Sequence, residues 1–249
     1  MDRNRFSQIA HRLHDFHNPV SEDKIERIIR LLPLQAGQTV LDIGAGKAEL
    51  LFRIVERFGA HGIAIEEHEG SMDDAKRRAF GRIHEEEVTF LREDAKLVLP
   101  QLGEHMMDLG ICIGSSHALG GLDATLEALN TMVRPGGYVL LGEGYWKKTP
   151  DAVYLEALGA TEDSMLTHNG NIEAAMKAGM IPLYSLVASE DDWDAYESLY
   201  AYSAEQYAFE HPENPDREAM LARIREWQRM YRQWGRDTMG FGLYLMRRG

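Results

Sequence analysis

Three short stretches of this chain combine glycines and carboxylates at a spacing that could bind a nucleoside. The first reads Asp42-Ile43-Gly44-Ala45-Gly46-Lys47-Ala48-Glu49. Gly44 and Gly46 let the backbone turn sharply and approach a ligand where a Cβ would intrude. A helix starting just beyond them would offer free N–H groups and the positive end of its dipole to an anion. Glu66 stands about 20 residues further on, where a carboxylate can accept both hydroxyls of a ribose. Asp94, in Leu91-Arg92-Glu93-Asp94-Ala95, is placed to reach an adenine amino group. Each feature alone has a plainer reading, a tight turn or a solvated loop carboxylate. In succession, after three consecutive strands, they point together to a nucleoside site.

Two other phosphate-binding arrangements fail on the same residues. A dinucleotide fingerprint needs a third glycine where Glu49 stands, and a side chain there enters the helix–strand packing or the pyrophosphate path. A phosphate-cradling P-loop needs glycine at Leu41 and a hydroxyl at Ala48.

The elements that must position these residues alternate between strand and helix. Thr39-Val40-Leu41-Asp42-Ile43 is an apolar strand, followed by a helix with Leu50, Leu51, Ile54, Val55 and Phe58 at helical spacing. Gly62-Ile63-Ala64-Ile65 and Val88-Thr89-Phe90-Leu91 repeat the strand, and Met72, Ala75, Ala79 and Ile83 mark the helix between them. Met107 to Ile113 is a fourth strand, Leu122, Leu126, Leu129 and Val133 a helix, Arg134-Pro135-Gly136-Gly137 a turn, and Tyr138 to Leu141 a fifth strand. Near-continuous apolar strands alternating with helices imply an α/β fold whose parallel sheet is covered on both faces.

Two helices precede this core, the second N-capped by Ser21 and apolar at Ile25, Ile28, Ile29 and Leu32. Later strands are expected over Ile181 to Ala188 and Phe241 to Met246. Between them lie two helices, one carrying Trp193, Tyr196, Tyr200 and Tyr207, the other beginning near Asn214-Pro215 and carrying Leu221, Ile224, Trp227, Tyr231 and Trp234. The expectation is a single domain over 1–249, with an N-terminal helical cap (1–35), a ligand-binding core (36–145) and a helical insertion (190–236) over one end of the sheet.

Composition narrows the partners. A net charge of −13 disfavours nucleic acid and anionic membrane surfaces, which need clustered cations. Cys112 is the only cysteine, so no internal disulfide can form, in keeping with a reducing, cytoplasmic setting. No signal peptide is visible, and no stretch reaches the roughly 18 apolar residues of a membrane span.

The succession Val40-Leu41-Asp42-Ile43-Gly44-Ala45-Gly46, Glu66, Asp94-Ala95 and Arg134-Pro135-Gly136-Gly137 resembles the ordered motifs of class I S-adenosylmethionine-dependent methyltransferases, over roughly residues 36–145. His17-Asn18-Pro19, Gly142-Glu143-Gly144-Tyr145-Trp146 and the aromatic C-terminal strand are similar, more narrowly, to the YjhP-like bacterial methyltransferases. The resemblance implies a Rossmann-like, doubly wound, mostly parallel seven-stranded sheet with an antiparallel last strand. It also implies S-adenosyl-L-methionine as cofactor. Gly44, Ala45 and Gly46 would lie against its methionine portion, with Asp42 shaping that loop. Glu66 would hold the ribose, Asp94 and the Ala95 backbone the adenine, and Ile113 and Gly114 the methionine side.

Methyl transfer is an in-line displacement in which the protein chiefly supplies alignment and exclusion of water. A small-molecule acceptor is expected. The loop Gly114-Ser115-Ser116-His117 lacks an Asn-Pro-Pro-Tyr-type motif for planar amino groups, which again disfavours nucleic acid. His117 is a candidate base or orienting group, although it could simply cap the next helix. Glu143 and Tyr145 are the other candidate catalytic residues, with Trp146 beside them, although loop packing would also account for them. Glu190 to Asp216 contains no Lys or Arg. Its acidic and aromatic residues suit either a cationic acceptor or an amphipathic lid. His11, His14 and His17 would diverge if helical, since steps of three drift by about 60° each. They are expected to bind no metal and could instead close the mouth of the cofactor site. A non-catalytic cofactor-binding module and a protein methyltransferase are the alternatives.

Overall fold

The computed structural model describes residues 3–249. Its spine is a set of apolar segments, β1 (Thr39–Ile43), β2 (His61–Ile65), β3 (Val88–Leu91), β4 (Met107–Ile113) and β5 (Val133–Trp146). They pair in parallel in the order β3-β2-β1-β4-β5. β1 and β4 are buried along most of their length, as central strands covered on both faces must be. β7 (Met239–Arg248) lies antiparallel beside β5, and β6 (Met180–Val187) pairs antiparallel with β7. This is the Rossmann-like seven-stranded sheet that the resemblance implied. Strand order runs outward in opposite directions from β1 and β4, which leaves a crevice beyond their carboxyl ends.

The connecting helices follow from periodicity. α1 (Arg3–Ala10) and α2 (Glu22–Ile29) precede the sheet; α3 (Glu49–Phe58), α4 (Glu69–Ala79), α5 (Ala95–Leu102) and α6 (Leu122–Met132) join its strands. α3 buries Leu50, Leu51, Ile54 and Val55 and stops at Gly59, whose left-handed backbone returns its N–H to the Val55 carbonyl. α2 buries Ile25, Ile28 and Ile29, with Ser21 at its N-cap position.

Three features differ from the sequence expectation. Arg134–Gly137 is not a free turn but a wide bulge inside β5. Pairing steps from Met107↔Val133 to Leu109↔Tyr138, so that four residues bulge opposite Asp108 alone. Asp108 gathers the bulge by accepting from Arg134 Nε at 2.7 Å and from the Thr39 N–H at 2.9 Å. β5 also runs on through Trp146, paired with β7, well past Leu141. Finally, α7 (Ala152–Leu158) and α8 (His168–Lys177) lie between β5 and β6. α7 is a single short run with only Tyr154 buried, and the first turn of α8 contains Asn169-Gly170-Asn171, weak helix formers that hide its periodicity.

The late helices are α9 (Glu190–Glu210) and α10 (Arg217–Met230), which runs through a π turn at Tyr231–Gly235, holding Trp234, into α11 (Arg236–Thr238). Phe6, Ile9 and Ala10 of α1 pack on Ala204 and Ala208 of α9 and on Met220, Leu221 and Ile224 of α10. The N-terminal segment and the insertion therefore form one helical layer, over the end of the sheet where β1 and β4 diverge.

Candidate functional site

A cavity of about 370 Å³ opens at the carboxyl ends of β1, β2 and β4, and all nine residues singled out for cofactor contact line it: Asp42, Gly44, Ala45, Gly46, Glu66, Asp94, Ala95, Ile113 and Gly114. The glycine loop is held from both sides. The Gly44 and Ala45 N–H groups donate to the Ile65 carbonyl at 2.9 and 3.0 Å. Gly44 and Gly46 have φ of +69° and +57°, conformations that side chains resist. Glu66 fastens the loop by accepting from the Gly46 N–H through Oε2 and from the His68 N–H through Oε1, each at 2.8 Å. A carboxylate has about four acceptor sites, so two backbone donors leave capacity for a diol. Asp94 Oδ1 caps α5 by accepting from the Lys96 N–H at 2.8 Å.

The charge lining this cavity is negative. Asp15, Asp42, Glu66, Glu67, Glu93 and Asp94 all line it. Burial, then the neighbouring charge of Glu66, pushes the Asp42 carboxyl up to about 7. Glu49 differs. Burial raises it, but Arg82 and Arg53, at 2.8 Å each, more than offset that and hold it below its ordinary value. Lys47 is the only lysine or arginine among the described lining residues. Its Nζ is committed to the carbonyls of His11, Arg12 and His14 at 2.8, 3.3 and 2.7 Å, and burial draws it down to about 8. A pyrophosphate would meet carboxylates with no cation in reserve. A ligand carrying positive charge would be welcome.

α1 ends at Ala10, so His11, His14 and His17 leave helical geometry and their rings converge, contrary to the expected divergence. Ring centroids lie 5.3 Å apart for His11–His14 and 4.6 Å for His11–His17. His11 Nδ1 faces the Ser7 carbonyl at 3.0 Å and must carry the proton, leaving Nε2 to accept from the Tyr196 hydroxyl at 2.8 Å. With both nitrogens engaged His11 is not poised to bind a metal, and no His/Cys/Asp/Glu group suited to a metal occurs among the described residues. His11 and His17 line the cavity, and His17 Nδ1 lies 3.3 Å from where a Gly46 Cβ would be. These contacts make the segment a wall of the site. Asn4, Ser7 and Gln8 of α1 also line it; nothing in a short polar N-terminal helix announces such a role.

The candidate catalytic residues separate. His117 is exposed in the turn Ser116–Ala118 and lines the cavity. Glu143 does not line the cavity but lies within electrostatic reach of His117. Burial raises its carboxyl, opposed by the Ser116 hydroxyl, the Gly144 N–H and the charge of His117. Tyr145 is buried at 8 % exposure, with its ring 5.4 Å from that of His168. It does not line the cavity.

A sheet of this order, with a glycine-turned, carboxylate-lined crevice at its switch point, is that of the doubly wound folds that bind nucleotides there. A family model described as a methyltransferase domain matches residues 34–201, and the chain belongs to that family, whose methyl donor is S-adenosylmethionine. YjhP of Escherichia coli strain K12 is 27 % identical over 248 residues, covering 99 % of both chains. The crystal structure of an S-adenosylmethionine-dependent methyltransferase from Thiobacillus denitrificans, in complex with S-adenosyl-L-homocysteine, superposes with a TM-score of 0.88 at 28 % identity, covering 99 % of each chain. One from Geobacter sulfurreducens, with the same ligand, gives 0.88 at 25 % identity and 97 % coverage of each chain.

Proposed function

We propose that the chain binds S-adenosyl-L-methionine in this cavity and transfers its methyl group to a small-molecule acceptor by in-line displacement. The observation that carries this reading is the convergence of Gly44, Gly46, Glu66 and Asp94 on one cavity whose walls are acidic. When bound, the cofactor supplies an electrophilic methyl group on a positively charged sulfur. Its charge suits Asp42, whose carboxyl a neighbouring cation would return to the ionised state. Glu66 would accept from the ribose hydroxyls, and Asp94 with the Ala95 backbone would hold the adenine. Gly44, Ala45, Gly46, Ile113 and Gly114 would pack against the methionine portion. The α1 segment with His11 and His17 would shield the site from water, and closure of this kind strengthens alignment. His117, at the cavity wall, would orient the reacting end of the acceptor or take a proton, within reach of the Glu143 charge.

The same reading treats residues 1–249 as one methyltransferase domain, with 1–35 as cap, 36–145 as core and 190–236 as lid. It places the reaction in the cytoplasm, a setting compatible with the lone buried thiol of Cys112; no helix among the described residues is long and apolar enough to cross a membrane. The test is calorimetric titration with S-adenosyl-L-homocysteine, followed by incubation of the protein and methyl-labelled cofactor with a metabolite extract. Micromolar binding and a labelled small product are expected. Binding without any labelled product would replace this reading with a non-catalytic module, and label on a protein would replace it with a protein methyltransferase.

A further inference from the structure

A second cavity, of about 720 Å³, lies inside the helical layer, between α1, the end of α7, α9 and α10. Such a volume is typical of small-molecule sites. It shares Ser7 and His11 with the cofactor cavity, so the two cavities adjoin at these side chains, past which the acceptor's reacting end would meet the methyl group. We propose that this chamber is the acceptor site and that it takes an organic amine cation with an apolar body. This rests on the methyltransferase reading above and adds to it a substrate class.

The argument starts from Glu197. Its side chain lines the chamber and is 3 % exposed. Oε2 accepts from Trp227 Nε1 at 2.7 Å, and no lysine, arginine or histidine forms an ion pair with it among the described residues. A carboxylate taken out of water with one neutral donor is poorly compensated. Without a ligand, burial pushes its carboxyl up to about 7. A cation beside it would restore the charge it otherwise gives up.

The remaining walls agree. Tyr196, Tyr200 and Trp227 present aromatic surface around Glu197, the setting in which alkylammonium groups bind by cation–π attraction. The junction between the cavities does not repel a cation, because His11 is neutral. Its tautomer is fixed by Ser7 and Tyr196, and burial, aided by His14, lowers it to about 4. Arg223 and Glu226 line the chamber but are exposed, Arg223 lying over the Phe6 ring at 4.4 Å and Glu226 paired with Arg229 at 2.6 Å. An anionic acceptor reaching for Arg223 would have to share the chamber with Glu197.

The test uses the full chain saturated with S-adenosyl-L-homocysteine and three probes of similar size, benzyltrimethylammonium, benzyl alcohol and benzoate, titrated calorimetrically. The ammonium probe is expected to bind at least tenfold tighter than benzyl alcohol, and benzoate not at all. Glu197→Gln should lower ammonium affinity tenfold or more and leave benzyl alcohol within twofold. Ala157→Trp, which fills the chamber from an exposed wall position, should abolish binding of the two probes that bind. Both variants should hold the homocysteine product as tightly as the wild type. If Glu197→Gln does not fold, the wild-type ratio and Ala157→Trp decide. Equal affinity of the wild type for the three probes, or unchanged ammonium binding in either variant, overturns the proposal and leaves the methyltransferase reading standing. Failure of the wild type to bind S-adenosyl-L-homocysteine overturns the reading beneath it.

Discussion

A Cβ added to Gly44 would lie 2.4 Å from both Cβ and Oγ of Ser115, on a backbone at φ +69°. Gly44→Ala therefore meets strain and overlap together, and should cost about 2–4 kcal/mol of stability and at least tenfold in S-adenosyl-L-homocysteine affinity. Gly46→Ala meets only His17 Nδ1 at 3.3 Å, and should cost roughly 1–2 kcal/mol. Thermal melts and calorimetry on the pair check the order, and equal effects would contradict it. Glu66→Gln replaces a double acceptor of backbone N–H groups by an amide whose NH₂ must oppose one of them. A loss of roughly tenfold in product affinity is expected. At this scale the sequence was informative where a strand end fixes a residue. Asp42 is the last residue but one of β1, and Glu66 and Asp94 follow β2 and β3, so topology alone brings them to one rim. Tyr145 was illegible for the converse reason. With β5 ended at Leu141, residues 143–146 look like a loop facing the ligand, whereas pairing of Tyr145 with Gly240 and Trp146 with Met239 keeps them in the ladder. The partner that extends β5 lies about a hundred residues away, beyond the reach of local pattern.

The segment after α1 shows what an element can do once it stops being one. Lys47 fastens three of its carbonyls, so Lys47→Met should raise hydrogen exchange across residues 7–18 severalfold and leave β4 unchanged. Burial comes first among the causes that lower His11, to about 4, and that lower His14 and His17. Lys47 and Arg78 act in the same direction on His17, while Asp15 opposes on His14. Unfolded imidazoles bind protons near 6.5 and the folded His11 only near 4. The stability this cluster confers is then fully present above pH 6.5 and is lost as pH falls through that window. Asp42, raised from 3.8 to about 7, works in the opposite sense over an overlapping range, because its burial penalty is relieved by acid. The informative measurement is the difference between the wild type and His11→Gln in melting temperature from pH 7.5 to 5. A gap that narrows toward pH 5 is expected, and a constant gap would show that His11 does not titrate in this window. The convergence of these rings was hidden from the sequence by one residue type, since nothing at Ala10 marks a helix end.

Across the whole molecule, the net charge of −13 and the carboxylates of the cavity give one field that selects ligands by sign. S-adenosyl-L-homocysteine at a hundred times its dissociation constant should stabilise the protein by about 2.7 kcal/mol, a rise of roughly 5–10 °C for a chain of this size. NAD at the same concentration should give no shift, and a shift with NAD would contradict the electrostatic account. The fold class was legible because parallel strands and their covering helices leave local signatures; the cavity between α1, α7, α9 and α10 was not, because it is made by elements far apart in sequence. The reversed strand carries one more consequence. β6 joins the sheet only through β7, which is synthesised some fifty residues later, so during translation its hydrogen-bonding groups wait for a partner not yet made. Closing a loop of that length costs a few kcal/mol of chain entropy. Until it closes, Ile181, Leu183 and Val187, which stay partly exposed even in the finished protein, are open to capture by another nascent chain. Pro182, which lacks an N–H, and the pairing slip beside it spoil that template for strangers while β7 still zips in.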